Sequence, residues 1–173
     1  NIVYTAIAGD SKAIIVEDDG IKVLNSLHDY SNKKEETAVG ERGGVIIERG
    51  VTKRLQGELA ISRSIGDVKY KEFISAVPEI SEHQITPSDN FLILATDGYW
   101  NVINSEKTAA TIKLIQKEFK ELDTVEKISE YLIELACNSN SNSRKDNMVL
   151  IIVDLKNLSE KKSPLGSQKS FSV

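Results

Sequence analysis

A single cysteine, Cys137, leaves no room for a disulfide framework or a cysteine-based zinc site. Its place in an apolar helical pattern assigns it to core packing. The two histidines, His28 and His83, have no ligand spacing with each other or with that cysteine, so zinc is disfavoured altogether. Each reads as a surface residue or a satisfied structural one. No run approaches the roughly 18 consecutive apolar residues of a membrane-crossing helix. Basic charge is not in excess: 22 Lys and Arg stand against 26 Asp and Glu, and aromatics make up only 6%. Nothing therefore draws the chain to nucleic acid or an anionic membrane, and few rings are there to stack on bases. The opening NIVYTAIAGDS carries neither an initiator methionine nor a signal sequence. The chain begins inside an expected strand, which makes a piece of a longer protein the natural expectation. No internal repeat appears. What remains is 173 residues, 40% hydrophobic: about one domain's worth, enough for a core.

The stretch that organises the rest is FLILATDGYWN, Phe91 to Asn101. Phe91 to Ala95 is apolar without a helical period, as in a fully buried strand. Thr96, Asp97 and Gly98 end it abruptly, and Trp100, the only tryptophan, is placed to pack the exit turn. An Asp-Gly pair by itself is most simply a turn. Two further aspartates at strand ends, Asp10 in GDS and Asp146 in KDN, argue for more than that.

In chain order, Ile2–Ala8, Ala13–Val16 and Ile21–Leu24 read as a three-stranded meander turned at Gly9-Asp10-Ser11 and Asp18-Asp19-Gly20. Asn32 and Glu35 form a candidate capping box for a polar helix that stops at Gly43-Gly44. A short strand follows at Val45–Ile47. The stretch from Val51 to Tyr70 reads as an ordered loop with short regular pieces, where functional residues collect. Ile80–Ile85 suits an edge strand. Ser105 is expected to cap a helix to about Phe119, with Ala109, Ile112, Ile115 and Phe119 on its buried face. Asp123 and Glu126 suggest a second box, for a helix with Val125, Ile128, Leu132, Leu135 and Ala136 on one stripe, ending near Asn138. NSNSNS is a polar loop, Met148–Val153 another buried strand, and from about Ser159 a polar, disordered tail is expected.

If the strands flanking Asp97 and Asp146 pair antiparallel, both carboxylates reach the same sheet edge, where Asp10 can join them. Clustered carboxylates raise one another's pKa unless a cation neutralises them. Mg²⁺ or Mn²⁺ is the economical occupant, and such sites serve phosphate chemistry. A structural calcium site is the other reading, although the spacing is not that of an EF-hand loop. Arg63 either holds a substrate phosphate or pairs internally with an acid such as Asp67 or Asp97, locking its loop. Asp67 is read as a support that orients ligands without binding metal.

GDSKA, ERGGVI, RLQGELAISRSIGD, VPEI, FLILATDGYW and KDNMVLIIV, in this order between Val3 and Val153, resemble the metal-dependent Ser/Thr protein phosphatases of type 2C. The resemblance implies an α+β fold, a sandwich of two antiparallel β-sheets flanked by helices, with its N-terminal part missing. Residues 1–156 would be the C-terminal portion of the catalytic domain and 157–173 a polar tail. The implied activity is hydrolysis of phosphoserine and phosphothreonine in proteins by a two-metal centre with metal-activated water. The ions would be Mg²⁺ or Mn²⁺, two in the complete domain and a third in some cases. Asp97 and Asp146 match the family's metal-ligating aspartates, and Asp10 matches one that helps hold the third ion. Asn147 and Gly98, adjoining them, are assigned supporting places with Arg63 and Asp67, and residues 29–53 include the family's variable flap.

The family's DGHGG segment, which carries a bridging aspartate and the proposed general acid, has no counterpart here and is expected upstream of Asn1. Two further departures stand out. Asn101 replaces the family's usual acid, and Leu27-His28 replaces its Asp-His pair. Phosphoproteins are the implied partners, without nucleic acid or membrane. A monomeric complete domain is expected, in the cytoplasm, the nucleus or both. The alternative from another class is a pseudophosphatase that keeps the fold as a partner-binding module.

Overall fold

In the computed structural model, residues 1–119, 124–139 and 146–156 are described. The centre is a four-stranded antiparallel sheet in the order β3-β2-β7-β8: β2 is Lys12–Glu17, β3 Ile21–Val23, β7 Asp89–Ala95 and β8 Leu150–Asp154. Ala13, Ile14, Ile15 and Val16 are all buried, because β2 is covered on both faces, whereas the edge strand β8, expected to be buried, leaves Ile151 52% exposed. Ile14, Ile93 and Ile152 stand in one cross-strand row. They face α3 (Ser105–Glu118) and α4 (Val125–Ser139), whose Ile112, Ile115, Ile128 and Leu132 complete that core. On the other face Ala13, Ile15 and Leu92 meet Val3 and Ile7 of β1 (Ile2–Ile7), which pairs antiparallel with β6 (Glu79–Gln84). The two sheets and the helix layer give the expected α+β sandwich. The outward face of the β1–β6 pair is open: Tyr4 is 66% and Ile80 70% exposed. Ile93 is fully buried. An Ile93→Ala change is expected to cost about 2–5 kcal/mol, read as a lower denaturant midpoint at unchanged m.

The three-stranded meander is corrected. β2 and β3 form the expected hairpin, but β1 leaves for the other sheet. The physical reason is burial: β2 is apolar on both sides and needs cover on both. β1 alternates and needs it on one, so it pairs with the alternating β6. Gly9, at φ +133°, makes the crossing between sheets that was read as a hairpin turn.

Smaller corrections follow from capping and helical phase. In α1 (Lys33–Glu41) the Asn32 side chain accepts from the Lys34 amide at 3.1 Å. Glu35 does not close a box; it is drawn to Arg63. Asn104, not Ser105, caps α3, accepting from Lys107 N at 2.8 Å. Phe119 sits beyond the last helical turn and is 41% exposed. Cys137 is exposed, lying one residue round α4 from the buried Ile128–Leu132–Ala136 stripe. Thr124 Oγ1 accepts from Lys127 N at 3.4 Å at the start of α4. Asp123, most of the NSNSNS loop and the tail from Ser159 lie outside the described residues. The ordered loop does carry regular structure: β5 (Thr52–Leu55) pairs antiparallel with β4 (Ile46–Arg49), and a 3-10 turn covers Val68–Tyr70. No helix among the described residues is long and apolar enough to cross a membrane.

Candidate metal centre

β7 and β8 pair antiparallel, Ala95 opposite Leu150, so the chain leaving β7 passes the chain entering β8. The Thr96 amide donates to the Val149 carbonyl at 3.1 Å, and the Val149 amide returns a bond to Thr96 Oγ1 at 3.1 Å. That hydroxyl in turn donates to the Asn147 carbonyl at 3.2 Å. Asp97 then opens a single helical turn, α2 (Asp97–Trp100). Gly98, buried in that turn, lies against the Asn147 backbone. A Cβ placed on it would stand 2.3 Å from the Asn147 carbonyl oxygen and 3.4 Å from Asp146 Cβ. Only a residue without Cβ lets the Asp97 and Asp146 segments come this close.

Trp100 packs the exit turn as its position suggests. Its indole N–H donates to the Lys12 and Ala95 carbonyls at 3.1 and 3.0 Å, and the Lys12 ammonium lies 4.5 Å over its ring. This ties α2 to the start of β2, two residues after Asp10. Asp10, Asp97 and Asp146 consequently line one cavity of about 610 Å³, with Trp100 and Asn101 beside them and Lys53 of β5 in its wall. The Asp10 carboxyl is pushed above its ordinary value, first by burial and then by the Asp97 charge. A hydrogen bond from its own backbone opposes this, while Asp29 and Asp146 add to it.

A partly buried edge with this much negative charge suits a cation, and an all-oxygen donor set suits a hard divalent one. The donor set is partial. Among the described residues no three His, Cys, Asp or Glu side chains converge tightly enough to enclose an ion by themselves. The histidines are engaged elsewhere as satisfied structural residues: His28 Nε2 with Glu79 at 3.2 Å and His83 Nε2 with Asp89 at 2.8 Å. Asn147 donates its backbone N–H to Asp146 Oδ1 at 2.8 Å.

Arg63 pairs with neither Asp67 nor Asp97. Its Nη2 donates to Glu35 Oε1 at 2.5 Å, its Nε lies 3.1–3.2 Å from both Glu35 oxygens, and its Nη1 reaches the Val77 carbonyl at 3.1 Å. Glu35 is buried on the first turn of α1 and takes a further bond from Ser62 Oγ at 2.5 Å, so the strongest available donor goes to it. Arg63 does lock its loop, to α1. Asp67 is exposed, at φ +45°, and does not line the cavity. Asp29 lines the cavity and was not singled out in the sequence. Its signal is an Asx turn: Oδ1 accepts from the Ser31 amide, two residues on, at 2.8 Å.

Comparison with known proteins agrees with this architecture. The model of the family described as protein phosphatase 2C matches residues 1–145. Protein phosphatase 2C homolog 2 of Schizosaccharomyces pombe is 32% identical over 164 residues, 88% of this chain and 42% of that protein. Probable protein phosphatase 2C 7 of Oryza sativa subsp. japonica is 37% identical over 113 residues, 65% of this chain and 30% of that protein. Among solved structures, a C. elegans sex determining protein superposes with a TM-score of 0.79 at 27% identity, covering 87% of this chain and 36% of its own. A phosphatase from a pathogenic strain of Toxoplasma gondii gives 0.73 at 25%, covering 88% and 48%. The chain thus spans less than half the length of each of these relatives. With six motifs in order, a sandwich of the same fold and a family match over most of its length, the chain belongs to the protein phosphatase 2C family.

Proposed function

We propose that the protein containing this chain is a metal-dependent serine/threonine phosphatase, and that Asp97, Asp146 and Asp10 are this chain's share of its metal ligands. The observation that carries the reading is the convergence of three separately encoded aspartates on one cavity at the end of the sandwich. Mg²⁺ or Mn²⁺ bound there would neutralise phosphate charge and acidify water. Within the chain, Thr96 and Gly98 hold the Asp97 turn against the Asp146 segment, and Asn147 fixes one oxygen of Asp146. Arg63 supports the loop at a distance through Glu35, and Asp67 stands apart. Phosphorylated proteins inside the cell are the proposed substrates, met by a monomeric domain. Because the chain spans less than half of its relatives, the activity is assigned to the whole protein.

The test is Mn²⁺-dependent release of phosphate from a phosphothreonine peptide by the full-length protein. Losing a partner of a metal ligand typically costs 10–100-fold, so losing the ligand itself is expected to cost at least about a hundredfold in Asp97→Asn or Asp146→Asn. Unchanged turnover in both variants would overturn the assignment.

A further inference from the structure

His28 occupies a place that a space-filling core histidine does not need. It is fully buried and holds Gly9 from both sides. Its backbone N–H donates to the Gly9 carbonyl at 3.1 Å, and its Nδ1 accepts the Gly9 N–H at 3.2 Å. With Nδ1 used as an acceptor, Nε2 carries the hydrogen and donates to Glu79 Oε2 at 3.2 Å. Glu79 Oε1 in turn accepts the Ser26 amide at 3.1 Å, and the His28 carbonyl takes the Ser62 amide at 2.8 Å. One residue thus joins the GDS, SRS and VPEI segments. Gly9 stands at φ +133°, a conformation side chains rarely adopt, and the next residue is Asp10.

We propose that His28 is a positioning residue for the cation site: by clamping Gly9 it sets the direction in which Asp10 presents its carboxylate. This rests on the assignment of Asp10 as a ligand. The clamp acts through Nδ1, and the bond from Nε2 to Glu79 anchors the ring. Asparagine offers an acceptor where Nδ1 stands, whereas glutamine reaches the place of Nε2, so the two amides separate the roles, and the larger volume loss falls on the asparagine variant, the one expected to bind normally.

The experiment titrates the full chain with Mn²⁺ alone, following free Mn²⁺ by electron paramagnetic resonance, with thermal midpoints to show that each variant is folded. Asp10→Asn is expected to weaken binding. His28→Gln is expected to weaken it by about tenfold, the low end of the range for a partner of a ligand, because His28 acts on Asp10 through the Gly9 backbone. His28→Asn should stay within about threefold of wild type. In the Asp10→Asn background His28→Gln should add nothing, since the two act on one carboxylate. Gly9→Ala, which strains the same hinge without touching the imidazole, should weaken binding like His28→Gln and serves if that variant does not fold. Equal weakening by His28→Asn and His28→Gln would overturn the proposal, as would a His28→Gln effect that persists without the Asp10 carboxylate. A wild-type affinity in Asp10→Asn would instead remove the ligand assignment, and the proposal with it.

Discussion

A Gly98→Ala chain is expected to lose Mn²⁺ affinity by at least about tenfold and to be less stable by about 1–3 kcal/mol. Two effects of opposite sign compete. Alanine is favoured over glycine in a helix by up to about 1 kcal/mol, and Gly98 lies in a helical turn. Against this, the new Cβ would fall 2.3 Å from the Asn147 carbonyl oxygen and 3.0 Å from its carbon, both backbone atoms that no rotamer change can move aside. Overlap wins, because relief requires α2 or the 146–147 segment to shift. Those two pieces carry Asp97 and Asp146, so the displacement falls on the carboxylates themselves. Gly40 is the control. It lies in α1 with nothing within 4 Å of an added Cβ. Gly40→Ala should therefore raise the thermal midpoint and leave Mn²⁺ binding alone.

Arg63→Met is expected to destabilise the fold by about 3 kcal/mol, the low end for breaking a buried pair from one side, because Arg63 keeps 24% of its side chain exposed. The loss comes from Glu35, left buried with only the Ser62 hydroxyl. Glu35→Gln in the same chain should recover part of it. The pH dependence has a definite sign. Burial by itself would raise the Glu35 pKa, but hydrogen bonds from Arg63 and Ser62 and the Arg63 charge hold it below the ordinary 4.5. A depressed folded value means stabilisation that is complete above the unfolded value and lost as pH falls through the folded one. The gap between wild type and Arg63→Met, read from denaturant midpoints, should therefore be full at pH 7 and narrow below about pH 4.5. A gap that widened on acidification would contradict the pairing.

The central strand was legible because five apolar residues bounded by an abrupt polar break have few other readings. Two such runs allowed antiparallel pairing without requiring it, and the pairing of β7 with β8 is what brings the Asp97 and Asp146 segments together. What was illegible depended on partners distant in sequence. Glu35 has the spacing of a capping-box acid, and nothing nearby tells that a guanidinium 28 residues on will claim it. Gly9-Asp10-Ser11 has hairpin composition, and only the need of β2 for cover on both faces sends β1 to the other sheet. Cys137 lies one residue from a true core position, an error of 100° in helical phase. The departure at Leu27-His28 loosened the motif match, yet the histidine joins three of the other motifs.

The most direct test of the central claim, that Asp10, Asp97 and Asp146 form one hard-cation edge, is a substoichiometric Mn²⁺ titration of the isotopically labelled chain followed by NMR. Paramagnetic broadening should appear first at the amides of Asp10, Asp97, Gly98, Asp146 and Asn147, fade with distance along β2 and β7, and reverse with excess chelator. Broadening that begins at the Asp18-Asp19 turn or on α1, with those five amides untouched, would contradict it.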